Sequence, residues 1–204
     1  MRTVAALYID PIRGPYPHLP GVECWGLPER DALGYGGPHP VVAHPPCGHW
    51  GRYAHRCHDD GLTGPVAVAQ VRRCGGVLEQ PAGSRLWQVC RIPLPEWLPD
   101  ASGGWSILVY QRDWGHRADK ATWLYIVGLR PEGLPPLPDP QPPREHRAPK
   151  RRLLVEGADL GRRAAGTRGV IECMSKLQRH LTPPAFAAWL VETARRCERP
   201  RSTP

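Results

Sequence analysis

The sequence predicts a single α/β domain, and three observations carry that reading. Short β-branched runs end in loops rich in proline and glycine, a helical run with a glycine stop separates two of them, and a Pro-Pro entry opens a final helix. The length of 204 residues leaves room for one sizeable core.

The elements follow in order. Val4 to Ile9 is apolar and ends in Asp10-Pro11. The next segment, Arg13-Gly14-Pro15-Tyr16-Pro17, cannot be helical, because proline lacks an amide hydrogen and restricts the residue before it. This is a strand feeding a loop. Val41-Val42-Ala43 is a second strand, stopped by Pro45-Pro46 and followed by a loop dense in His, Cys, Gly and Trp. From Gly64 to Arg73, Val66, Ala67, Val68, Ala69 and Val71 precede a basic pair and Gly75-Gly76, which predicts a helix with cations in its last turn. Val77-Leu78 opens a third strand. Trp105 to Tyr110 and Thr122 to Val127 are two more, separated by the charged stretch Gln111 to Ala121. Residues 131 to 149 carry eight prolines and predict an extended arm outside the core. Thr182-Pro183-Pro184 then predicts a helix with Thr182 as cap, whose Phe186, Trp189, Leu190 and Thr193 face the sheet. The organisation expected is a core over 1–130, an arm over 131–168 and a returning C-terminal segment over 169–199.

Composition excludes several classes. Hydrophobic residues at 41% and charged residues at 23% are globular values. No apolar run approaches the roughly 20 residues of a bilayer span, and Met1-Arg2-Thr3 leads into a short apolar stretch without a cleavage site, so no membrane partner and no export are expected. The seven cysteines form no CxxC pair, which points to a reducing compartment and a cytosolic protein. The net charge of +8 suits a polyanionic partner. Between Arg144 and Arg168, eight basic residues (Arg144, Arg147, Lys150, Arg151, Arg152, Arg162, Arg163 and Arg168) face three acids, so the charge excess is concentrated there.

Three segments can carry chemistry. In Ala43-His44-Pro45-Pro46-Cys47-Gly48-His49-Trp50, a cysteine sits just past a strand on a rigid proline pair, near Arg52, His49 and His55, whose charge would favour a nucleophilic thiolate. Taken alone, a cysteine more often serves as a small buried hydrophobe. In Val77-Leu78-Glu79-Gln80-Pro81 an acid ends a strand, where it can hydrogen-bond a base edge or deliver a proton, or simply be a solvated loop acid. In Trp114-Gly115-His116-Arg117-Ala118-Asp119-Lys120, two cations precede a strand; alone, they would be surface charges.

Together and in this order, the segments resemble the cytosine carbon-5 DNA methyltransferase family, especially short, divergent relatives in bacteriophage genomes. Pro45-Pro46-Cys47 resembles the family's nucleophile motif, Glu79-Gln80-Pro81 its Glu-Asn-Pro motif with Gln for Asn, and Trp114-Gly115 through Tyr125-Ile126-Val127-Gly128 its arginine-bearing strand. Thr182-Pro183-Pro184-Ala185-Phe186 resembles the entry to its terminal helix, and the Pro-rich basic stretch stands where the target-recognition region belongs. The resemblance implies a reduced Rossmann-like methyltransferase sheet with flanking helices and a Pro-rich basic insertion. It implies Cys47 as nucleophile on carbon 6 of a flipped cytosine, Glu79 on the ring edge, and Arg117 or Lys120 steadying the adduct. It implies S-adenosylmethionine as cofactor, with Asp10, Gly14, Asp31, Pro45 and Pro184 around it and Asp31 matching the acid that binds adenine; no ribose acid is evident besides Glu23. DNA is the implied partner, with Arg144, Arg147, Lys150, Arg151, Arg152, Arg162 and Arg163 on its phosphates.

Two other readings stay open. The same activation of carbon 5 serves a modifier of phage bases that uses no S-adenosylmethionine. A different class is a non-catalytic DNA-binding module, which zinc could stabilise, since His44, Cys47, His49, His55, Cys57 and His58 fall within fifteen residues. Their spacings, HxxCxH and HxCH, match no common finger, so no metal site is expected.

Overall fold

The computed structural model describes residues 1–51, 54–57, 61–142 and 181–200. The chain divides into two compact units, Met1–Gln141 with Thr182–Pro204, and Pro142–Leu181. All but the two end residues of the second unit lie outside the described residues, and with them the seven basic residues expected to contact phosphate.

The first unit is built on a six-stranded mixed sheet flanked by helices. Its strands are β1 (Val4–Leu7), β2 (Val22–Trp25), β3 (Val41–Ala43), β4 (Gly76–Pro81), β5 (Trp105–Tyr110) and β6 (Ala121–Val127). The spatial order is β2-β1-β3-β4-β6-β5. The first four are parallel, while β6 runs antiparallel between β4 and β5. The helices are α1 (Thr63–Cys74), α2 (Leu86–Val89) and α3 (Pro184–Arg196).

Strand alternation sends side chains to two cores. Val4, Ala6, Val42, Val77, Leu124 and Ile126 face Phe186, Leu190 and Ala194 of α3. Ala5, Leu7, Val41, Ala43, Leu78 and Val127 face Ala67, Val68 and Val71 of α1. β1 and β3 are therefore apolar without interruption, as parallel strands covered on both faces must be. The turn from α1 into β4 demands glycine: Gly76 has φ +133, and a Cβ there would stand 2.0 Å from the Val41 carbonyl oxygen.

Three expectations need correction. The Pro-rich stretch is not an arm from residue 131, because it stays on the core to Gln141. Trp189 Nε1 donates to the Pro136 carbonyl at 3.1 Å, and the Gln141 amide donates to Asp113 Oδ1 at 2.9 Å. Thr182 does not cap α3, whose N-cap is Pro183 without a side-chain hydrogen bond. Finally, β2, a half-buried four-residue strand beside β1, has no counterpart in the sequence reading.

This topology has one switch point. β2 lies on one side of β1 and β3 on the other, so the loops leaving β1 and β3 diverge, and such crevices at carboxyl strand ends are where open sheets bind ligands. Tyr8, directly after β1, has φ +60, a costly conformation for a residue with a side chain. Among the described residues no helix is long and apolar enough to cross a membrane.

Candidate active site

Four loops meet at the carboxyl edge of the parallel strands. The first leaves β1 and closes on itself: Asp10 Oδ1 accepts from the Ile12 and Arg13 amides, both at 2.9 Å, and the Gly14 amide donates to the Asp10 carbonyl at 3.1 Å. Those backbone hydrogen bonds hold the Asp10 carboxyl below its ordinary range. The turn carries Tyr16 inward, where its ring is buried and its hydroxyl meets His44 Nε2 at 2.5 Å.

The second loop leaves β3. The His44 amide donates to the Leu7 carbonyl at 3.0 Å, so the strand ladder fixes the His44 backbone before the prolines begin. His44 Nδ1 lies 3.0 Å from Glu79 Oε2. Buried Pro45 is tied to β4, because Gln80 Nε2 donates to its carbonyl at 2.5 Å and Ser84 Oγ donates to Gln80 Oε1 at 3.2 Å. Cys47 follows, half-buried, as the N-cap of a 3₁₀ turn over Gly48–Trp50.

The third and fourth contributions come from the ends of β4 and of the β5–β6 pair. Glu79 is buried, and its second oxygen accepts from Gln111 Nε2 at 3.0 Å. Gln111 also donates to Thr122 Oγ1 at 3.1 Å, and Thr122 donates to the Lys120 carbonyl at 3.0 Å. Gln111 Oε1 is buried without a hydrogen-bond partner among the described residues. Lys120 has φ +41 immediately before β6.

The charges follow from this packing. Burial pushes Glu79 upward, but the hydrogen bond and charge of His44, the Lys120 ammonium and the Gln111 amide outweigh it and hold the carboxyl below its ordinary value. Burial, then the Glu79 carboxylate, raise the Cys47 thiol, and Lys120 partly offsets them. Burial, then Glu79, raise Tyr16 well above its usual value. The His44 ring thus stands between the Tyr16 hydroxyl at Nε2 and the Glu79 carboxylate at Nδ1.

The structure thus brings Cys47, Glu79 and Lys120 together. Arg117 is exposed on the loop leading to Lys120, and Lys120 acts on both Cys47 and Glu79. Asp10, Gly14, Asp31 and Pro45 follow β1, β2 and β3 at the same edge. Pro184 is exposed at the start of α3. That end of α3 also lies at this edge, since Phe186 packs on Trp114, just past β5, with ring centroids 4.8 Å apart. Asp31 Oδ1 accepts from the Leu33 amide at 2.9 Å, and Glu23 pairs with Arg30 at 2.5 Å. A cavity of about 490 Å³ lined by Gly128, Arg130, Arg196 and Arg199 lies at the opposite edge, away from Cys47.

Among the described residues no three His, Cys, Asp or Glu side chains converge as a metal site; His58 lies outside them. Tyr16, Gln111 and the bridging role of His44 escaped the sequence reading. The one available signal was position, since His44 precedes the proline pair and Gln111 ends an aromatic strand. Comparison with known proteins finds no matching family model, no similar curated protein and no similar solved structure.

Proposed function

We propose that this chain is a DNA pyrimidine carbon-5 modifying enzyme, methyltransferase-like, that acts on cytosine through Cys47. The observation that carries the reading is the juxtaposition of a half-buried thiol, an ionised buried carboxylate and an ammonium at the carboxyl edge of the sheet. The Pro-Pro-Cys, Glu-Gln-Pro and Lys120 segments are far apart in sequence, yet all act on one point.

Each residue suits one part of the chemistry. The Cys47 sulfur adds to carbon 6 of the ring, and the π electrons move to make carbon 5 nucleophilic. Lys120 favours the thiolate and offsets negative charge developing in the adduct. Glu79 faces the ring edge as an acceptor held in one orientation by His44 and Gln111. A base can reach such a buried carboxylate only outside the stack, so a flipped or single-stranded base is the substrate, at a cost of a few kcal/mol from duplex. The basic segment 144–168 supplies phosphate contacts in this reading.

S-adenosylmethionine is the methyl donor that the resemblance implies. The loop after β1 does not fit it, because the Ile12, Arg13 and Gly14 amides, which would face such a ligand, are all taken by Asp10. The residues present account for the reaction as far as the activated carbon 5. The same loop favours a second reading, a carbon-5 modifier of phage pyrimidines that takes its electrophile elsewhere.

Incubating the full chain with cytosine-containing DNA, with and without S-adenosylmethionine, separates the two by nucleoside mass analysis. Gain of one methylene on cytosine supports the methyltransferase. No gain, with Cys47-dependent change of a modified pyrimidine, supports the second reading. No change with any pyrimidine DNA counts against both.

A further inference from the structure

We propose that Cys47 and Cys57 form a thiol pair that a hydroperoxide converts reversibly into an intramolecular disulfide. The proposal goes beyond the pyrimidine reading and stands without it, since it concerns only the two sulfurs.

The geometry comes from the glycine between them. A Cβ built on Gly48 would stand 2.7 Å from the Cys57 sulfur and 3.7 Å from its Cβ, so that sulfur lies against the backbone of the residue adjoining Cys47. Cys57 is also among the groups acting electrostatically on the Cys47 thiol. Both residues border single 3₁₀ turns: Cys47 caps Gly48–Trp50, and the Cys57 amide donates to the Ala54 carbonyl at 3.0 Å, closing Ala54–Arg56. Neither belongs to a strand, and the pairing requires their Cβ atoms to come within about 3.5–4.5 Å of each other. Both thiols are half-buried, within reach of a small oxidant. The other described cysteines are placed differently. Cys74 and Cys197 are buried on opposite faces of the sheet, Cys24 is on β2, and Cys90 lies beside Arg72.

The step balances. One thiolate attacks a peroxide oxygen, breaking the O–O bond to give a sulfenic acid, and the departing hydroxide takes up a proton as water. The second thiol displaces the sulfenic hydroxyl as water and forms the S–S bond, so two thiols are oxidised and one peroxide is reduced. The disulfide removes the sulfur assigned as nucleophile, and a thiol reductant restores it.

The test is mass mapping of the reduced full chain after titration with hydrogen peroxide, blocking of free thiols and trypsin digestion. Cleavage after Arg30, Arg52, Arg56 and Arg72 puts Cys47 alone in peptide 31–52 and Cys57 alone in peptide 57–72. The expected product is these two peptides joined, with loss of two hydrogens, and separated again by dithiothreitol. In Cys57→Ser, Cys47 should instead gain oxygen. Wild-type protein in which Cys47 gains oxygen while Cys57 stays alkylatable, in which either pairs with another cysteine, or in which neither reacts would overturn the proposal.

Discussion

Glu79 and His44 share a hydrogen bond of 3.0 Å that joins the ends of two adjacent parallel strands. On its far side the imidazole meets the buried Tyr16 hydroxyl, and on its far side the carboxylate meets Gln111. One chain of polar groups therefore crosses the carboxyl edge of the sheet. Hydrogen bonds to a charged group contribute about 1.5–3 kcal/mol each, so this chain fixes the site and also stabilises the fold.

Glu79 has a folded pKa below its unfolded one of about 4.3. Its contribution to stability is therefore present above about pH 4.3 and lost as pH falls through the folded value. His44→Ala should remove about 1–3 kcal/mol at neutral pH and flatten the loss of stability below about pH 4.3. Urea unfolding of both proteins between about pH 3 and 7 reads this directly. Parallel pH profiles for the two would show that the hydrogen bond does not set the ionisation of Glu79.

Lys120 and Arg117 should behave differently. Lys120 lowers the Cys47 thiol against burial and Glu79, so Lys120→Met should shift the pH profile of Cys47 alkylation upward, and Glu79→Gln should shift it downward. Arg117→Ala should leave it in place, because Arg117 is exposed. Iodoacetamide rates at Cys47, followed by peptide mass, distinguish the three. A profile that moves with Arg117 and not with Lys120 would reverse the assignment.

Gln80 should act on Cys47 at a distance. Its amide holds the Pro45 carbonyl, and Gln80→Ala leaves that buried acceptor unsatisfied at a cost of about 1–3 kcal/mol. The Cys47 loop should then loosen, giving faster alkylation and a lower melting temperature together. A melting temperature unchanged within error would mean that the Pro45 tie carries no weight.

Gly76 tests the sheet itself. With φ +133 and the Val41 carbonyl in the place of a Cβ, Gly76→Ala should destabilise by more than about 2 kcal/mol or prevent folding. Circular dichroism and chemical denaturation settle it, and a near-neutral effect would contradict the β3–β4 register.

The sequence was most legible where local chemistry and tertiary packing agree. α1 carries an apolar run, a basic last turn and a glycine stop, and it folds as those signals say; β3 and β5 have the predicted bounds because proline or loop residues punctuate them. β2 was missed because four half-buried residues on the edge of a sheet carry no alternation. Prolines 131–140 suggested an arm, yet their carbonyls satisfy Trp189, a partner more than fifty residues away that no local pattern reveals. In the site, Cys47 and Glu79 were readable because each stands beside prolines that mark the carboxyl side of a strand, although Glu79 itself lies within β4 and not at its end. The choice between Arg117 and Lys120 was not, since it turns on tertiary packing that leaves Arg117 exposed and Lys120 half-buried beside Cys47 and Glu79. Tyr16 was hidden for the opposite reason: prolines mark its loop as irregular but not the direction in which its ring points.

The central claim is that Cys47 activates carbon 5 of a pyrimidine, and hydrogen exchange at that carbon tests it without any cofactor. Single-stranded DNA containing cytosine, incubated with the full chain in heavy water, should gain one deuterium per exchanged cytosine at carbon 5. Cys47→Ala should lose this exchange by at least on the order of 10³-fold while keeping the wild-type fold. Exchange that persists in Cys47→Ala, or wild-type protein that exchanges no faster than buffer on any pyrimidine DNA, would contradict it.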